Sequence, residues 1–114
     1  MQDLIEQLRE FADERDWDQF HSPKNLAMAL SVEVAEILEH FQWLTQEQTT
    51  KLKPEEFAKL KEEIGDVLIY LTRLADKLGI DPLEAAKEKI KKNAEKYPVD
   101  KAKGKHTKYD KLLT

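Results

Sequence analysis

The sequence predicts an all-α protein of the four-helix-bundle type, oligomeric, with a basic C-terminal tail. Three observations carry that prediction. Apolar residues recur at helical spacing in four separate segments. The later three segments each open on a proline set beside a capping residue or an acidic first turn. No segment shows the strict apolar–polar alternation of a half-buried strand.

Residues 2–15 form the first helix, with Leu4, Ile5, Leu8, Phe11 and Ala12 as its apolar stripe. The aromatic stretch DWDQFHSP follows as a loop. Ser22 is the N-cap and Pro23 the first residue of a second helix that runs to about Trp43. Leu26, Leu30, Ile37 and Phe41 share one face of it. Thr45 and Gln48 have the spacing of a capping box for a short helix or turn. Pro54, Glu55 and Glu56 open a third helix, and Gly79 ends it as a C′ residue. The stripe of that helix reads Leu60, Ile64, Val67, Leu71, Leu74 and Leu78, with Glu63, Asp66 and Tyr70 along one edge. Asp81 and Glu84 read as a capping box for a fourth helix that runs to about Tyr97, where Pro98 stops it. Residues 1–98 are the folded domain and residues 99–114 the lysine-rich tail, in which Tyr109, Leu112 and Leu113 could dock on a neighbour.

At 114 residues, the chain has room for one compact domain. The absence of cysteine excludes disulfides, thiolate zinc sites and cysteine nucleophiles. There is no apolar run of about 18 residues and no signal-peptide pattern, so a cytoplasmic protein without membrane or nucleic-acid-polymer partners is expected. The net charge of −4 conceals an asymmetry: ten lysines against four acids in residues 87–111 give +6, and the remainder carries −10. That pattern suits a site where metal ions and a polyanion meet. A solvated lysine face is the simpler alternative.

The chemistry concentrates in four acids. Glu33 falls inside the apolar stripe of the second helix with Glu36 on its flank, and Glu63 and Asp66 repeat the i, i+3 pair on the third. A carboxylate in a core-facing stripe costs several kcal/mol unless it is paired or metal-bound. All-oxygen donors without His or Cys select hard cations, Mg²⁺ with Mn²⁺ as a substitute. Such ions neutralise phosphate charge and lower the pKa of a bound water, as hydrolysis of a phosphoanhydride requires. Surface salt-bridge lacing is the alternative, and Glu36 with Glu39 shows that E-x-x-E arises by chance. A ferritin-type di-iron site is rejected, because it needs Glu-x-x-His on two helices and His40 stands four residues after Glu36.

Trp17 and Trp43, the only tryptophans, flank the second helix. Each alone is an ordinary core residue; together they offer faces on which a nucleobase could stack. His21 reads as a loop or capping residue. Lys89 and Asn93, four apart on the fourth helix, could reach one phosphate or sugar, or simply be solvated. The run Val67–Leu71 is apolar on every side of its helix, which a homo-oligomer would cover.

These residues occur in the runs FADERDWDQFHSPKNLAMALSVEVAEILEHFQW, KLKEEIGDVLIYLTRLADKLGID and NAEKYP. Over about residues 8–98 the chain resembles the MazG-like all-α nucleoside triphosphate pyrophosphohydrolases, and within them the dCTP pyrophosphatase branch. The E-x-x-E…E-x-x-D signature of that family matches Glu33, Glu36, Glu63 and Asp66. The resemblance implies Mg²⁺ on those four carboxylates and cleavage between the α and β phosphates. It implies Trp17 and Trp43 around the base with His21 nearby, and Tyr70, Lys89 and Asn93 on sugar and phosphates. Where the branch often has Arg after that asparagine, this chain has Ala94, so the resemblance does not carry a phosphate-binding role to that position. It also implies a homodimer or a dimer-of-dimers tetramer with sites built partly between subunits.

The expected function is Mg²⁺-dependent hydrolysis of a nucleoside triphosphate such as dCTP or a base-modified dCTP. A non-catalytic helical interaction module is the alternative from another class. Stabilisation by Mg²⁺ plus nucleotide separates the two.

Overall fold

A computed structural model describes residues 1–104 of the chain. The described residues form helices α1 (Gln2–Glu14), α2 (Pro23–Phe41), α3 (Gln46–Thr49), α4 (Pro54–Lys77), α5 (Pro82–Lys96) and α6 (Val99–Ala102), with one 3₁₀ turn at Asp18–Phe20. They contain no strand. The chain divides into two compact units, Met1–Ile80 and Asp81–Thr114.

Local chemistry sets the ends of these elements. The Ser22 hydroxyl accepts from the Asn25 N–H at 3.1 Å, and Pro23 supplies the first helical φ of α2. Thr45 and Gln48 satisfy each other's backbone N–H at 2.9 and 3.2 Å, the reciprocal box expected for α3. Gly79 takes φ +68°, and the N–H groups of Gly79 and Ile80 return to the carbonyls of Asp76 and Ala75. That pattern is a complete Schellman stop for α4.

In the first unit α2 lies along α4, and α1 packs against α4 as well. His21, just before α2, meets Arg73 late in α4, while His40 near the end of α2 meets Glu63 early in α4. The two long helices are therefore antiparallel. Leu26, Leu30, Glu33, Ile37 and His40 are covered on α2, and Leu60, Glu63, Val67, Tyr70 and Leu74 on α4. Their alternating steps of three and four are those of a helix–helix seam. Leu26 is 1% exposed, and its truncation to alanine would cost about 2–5 kcal/mol. Arg9 fastens α1 to α4 through two hydrogen bonds to Asp76, at 2.8 and 2.6 Å.

The seam corrects the stripe expected for α4. Ile64, Leu71 and Leu78 are exposed, whereas Glu63 and Tyr70 lie in the seam itself and not at its edge. Hydropathy ranks side chains by their cost in water, but the pitch of the helix against α2 decides which are covered. Polar residues with work at the centre therefore displace isoleucine and leucine from it.

The second unit begins with α5. Asp81 accepts from the N–H groups of Leu83 and Glu84 at 2.9 and 3.1 Å, while Glu84 turns to Lys87 at 3.5 Å. The first four residues of the expected tail form the short helix α6. Tyr109, Leu112 and Leu113, with their expected docking role, lie outside the described residues.

Candidate active site

The antiparallel seam brings both acidic pairs to one level. Glu33 and Glu36 stand one turn apart on α2, and Glu63 and Asp66 likewise on α4; all four are partly covered. One oxygen of Glu33 and one of Glu63, Oε2 in each case, are buried without a hydrogen-bond partner. Burial pushes the Glu33 carboxyl above the usual carboxylate range. Contact with Glu36 and the charges of Glu36, Asp66 and Glu63 push it the same way. The four acids expected from spacing thus act on one another in space.

His40 joins them. Its Nε2 is 2.7 Å from Glu63 Oε2, a close contact that does not meet hydrogen-bond geometry. Sequence reasoning set His40 aside as a di-iron ligand, but its three-residue step from Ile37 along the seam was a signal that it would be covered.

Among the described residues no three His, Cys, Asp or Glu side chains close into a ready-made metal cage. The donor set nonetheless fits a hard divalent cation. The four acids are all carboxylates, Oε2 of Glu33 and of Glu63 is buried without a hydrogen bond, and Glu36, Asp66 and Glu63 raise the proton affinity of Glu33.

Beside the acids is a cavity of ≈ 240 Å³. Phe11 and Trp17 line one side, their rings edge-to-face with centroids 5.7 Å apart, and Ile69 and Tyr70 of α4 also line it. The Arg15 guanidinium lies 3.6 Å from the Phe11 ring centroid. His21, Arg73 and Asp66 supply polar groups. Asp66 belongs both to this wall and to the acidic cluster around Glu33.

Trp17, His21 and Tyr70 thus line one cavity, although Tyr70 was expected beside Lys89 and Asn93 and not beside the base residues. Trp43 does not join them within the chain, because it is 86% exposed just beyond α2. Lys89 and Asn93 are exposed on α5, in the second unit. Arg73, Asp18 and Phe11 were not foreseen as site residues. Arg73 is 4% exposed, with Nη2 2.9 Å from Asp18 Oδ1. Its signal was a lone arginine within the leucine-rich run LIYLTRLADKL.

A model of the MazG-like family matches residues 28–112. The chain belongs to the MazG-like family. Curated relatives include the dCTP pyrophosphatase 1 proteins of Mus musculus and Homo sapiens, 43% and 42% identical to this chain. In both cases 98% of this chain and 67% of the relative are covered. Among solved structures, a pyrophosphatase from Archaeoglobus fulgidus DSM 4304 is 47% identical with a TM-score of 0.81, covering 86% of this chain and 92% of that one. The MazG-like segment contains all four acids, Trp43 and all of α4, whereas Trp17 and His21 precede it.

Proposed function

We propose that this nucleotide pyrophosphohydrolase uses Mg²⁺ to convert dCTP, or a base-modified dCTP, to the monophosphate and pyrophosphate. The observation that carries the reading is Asp66, which lines the aromatic cavity and acts electrostatically on Glu33. A base in the cavity would thus set its phosphates toward the carboxylates. The relatives named dCTP pyrophosphatase 1 support this choice of substrate.

Glu33, Glu36, Glu63 and Asp66 would hold the cation. Once bound there, it supplies neutralisation of phosphate charge and acidification of a water. The chain's own contribution is to concentrate negative charge in a partly dry seam, where Oε2 of Glu33 is buried without a hydrogen bond and Oε2 of Glu63 is in contact with His40. The raised proton affinity of Glu33 in the metal-free chain makes it the acid whose ionised form gains most from a bound cation. Trp17 and Phe11 shelter the base, and Tyr70 offers its hydroxyl one turn beyond Asp66. Lys89 and Asn93 are assigned to sugar and phosphates by resemblance to the family.

Assembly belongs to the same proposal. Ile64, Leu68, Leu71 and Leu78 are 55, 43, 42 and 54% exposed on α4. A homodimer or dimer-of-dimers tetramer would cover such residues and give Trp43 a place against a partner's base site. Among the described residues no helix is long and apolar enough to cross a membrane. A cytoplasmic role in clearing the nucleotide pool accords with that.

The test incubates the protein with Mg²⁺ and a panel of nucleoside triphosphates, and resolves the products chromatographically. The expected result is monophosphate and pyrophosphate, with dCTP or a base-modified dCTP the best substrate. Diphosphate and orthophosphate, or another base clearly preferred, would contradict the proposal.

A further inference from the structure

The geometry points to Arg73 as the positioning residue that fixes His21 as a hydrogen-bond donor to the base, an assignment that rests on the nucleotide reading above. Arg73 Nη2 is shared between Asp18 Oδ1 at 2.9 Å and His21 Nδ1 at 3.3 Å. A guanidinium has only donors and does not lose its proton in a protein. The lone pair in the contact with His21 therefore belongs to the imidazole. Nδ1 accepts, and the one proton of the neutral ring is on Nε2. Protonating the ring would set an N–H of His21 against an N–H of Arg73. Burial and the charge of Arg73 both lower the proton affinity of His21, in the same sense.

The guanidinium is itself held in place. Asp18 also pairs with Lys77, and Asp76, 3.7 Å from Arg73 Nη1, is gripped by Arg9. Arg73 is 4% exposed, yet its Nε is buried without a partner. An apolar residue would fill this place in a core without leaving an unpaired donor. What arginine adds, besides its pairing with Asp18 and Asp76, is an N–H directed at His21.

His21 and Arg73 line the cavity that contains Trp17, and Nε2–H is the polar group of His21 not engaged by Arg73. Cytosine carries a lone pair at N3 where thymine and uracil carry a hydrogen. A fixed donor is complementary to cytosine at that atom and opposes the other two. Stacking on aromatic rings is tolerant of base identity, so discrimination at this site falls to the donor.

The test combines imidazole nitrogen NMR of isotope-labelled full-length protein with steady-state kinetics on dCTP and dTTP. His21→Phe identifies the His21 signals among the three histidines. Wild type should show a neutral His21 protonated on Nε2. In Arg73→Gln that signature should give way to a mixture of tautomers. The dCTP-to-dTTP ratio of kcat/KM should fall about tenfold, mainly through KM for dCTP, and Arg73→Lys should restore part of it. If Arg73→Gln does not fold, the wild-type tautomer and the ratio in His21→Phe decide, with the same fall expected. A wild-type His21 protonated on Nδ1, or an unchanged ratio in a folded variant, overturns the assignment to Arg73 alone. A wild type that hydrolyses no triphosphate overturns the nucleotide reading, and this assignment with it.

Discussion

Glu33 of α2 and Glu63 of α4 each bury one carboxylate oxygen without a hydrogen-bond partner, and the charge of Glu63 helps raise the proton affinity of Glu33. Two facing helices thus bury carboxylate oxygens in the same seam, at a cost in stability that a bound cation would offset. Glu33→Gln should abolish turnover and weaken Mg²⁺ binding while leaving the helix content intact. Without Mg²⁺ its melting temperature should equal or exceed that of wild type, because a mutual repulsion is relieved. Calorimetric Mg²⁺ titration and circular dichroism provide the check.

The same relationship sets a pH dependence. The Glu33 carboxyl is raised in the folded chain, so across the interval between its unfolded and folded values the folded state holds a proton that the unfolded state has released. Stability of the metal-free protein should therefore fall as pH rises through that interval. Glu33→Gln should flatten this slope, and melting curves in chelator across mildly acidic pH would show whether it does.

Asp76 has the opposite sign. Hydrogen bonding to Arg9, followed by the charges of Arg9, Arg73 and Lys77, holds its carboxyl below the usual range. Its contribution is present above the unfolded carboxylate pKa and is lost as pH falls through the lower folded value. Asp76→Asn should cost about 1.5–3 kcal/mol, the scale of hydrogen bonds to a charged group, measured by urea denaturation near neutral pH.

Much of the fold was legible because helix ends are local chemistry. Ser22-Pro23, Thr45 with Gln48, and Gly79 each fix a boundary with atoms a few residues apart. The covered face of α4 was legible in part: Leu60, Val67 and Leu74 of the expected stripe are covered, and Ile64, Leu71 and Leu78 are not. The choice of Glu63 and Tyr70 over Ile64 and Leu71 depends on the pitch of α2, a long-range fact. The four acids were legible as an anomaly of placement, and the family resemblance gave that anomaly a chemistry. Arg73 escaped because a single arginine in an apolar helix normally extends its stem and keeps its charge in water. Here the guanidinium is itself buried and pairs with Asp18 and Asp76 instead.

The aromatic cavity separates the two tryptophans. Trp17 lines it, so Trp17→Ala should weaken dCTP binding by about 1–3 kcal/mol, roughly 5- to 150-fold, with Mg²⁺ affinity preserved. Trp43 is 86% exposed, so Trp43→Ala should cost far less than the about 3–5 kcal/mol of a core tryptophan. Quenching of tryptophan fluorescence by dCTP in Mg²⁺ should weaken in Trp17→Ala. No quenching in wild type would remove the stacking role.

The exposed apolar face of α4 predicts assembly. Ile64→Glu and Leu71→Glu should each shift the protein toward monomer in sedimentation velocity. A wild type already monomeric at micromolar concentration would refute the subunit interface.

If the carboxylates of α2 and α4 together carry a Mg²⁺-dependent cleavage between the α and β phosphates, dCTP should yield dCMP and pyrophosphate only where Mg²⁺ and Glu33 are both present. Phosphorus NMR of dCTP mixed with Mg²⁺ and either wild type or Glu33→Gln tests it most directly. Wild type with Mg²⁺ should show paired growth of dCMP and pyrophosphate signals, with none in the absence of Mg²⁺ and none with Glu33→Gln. Orthophosphate with dCDP, or an equal rate from Glu33→Gln, would contradict it.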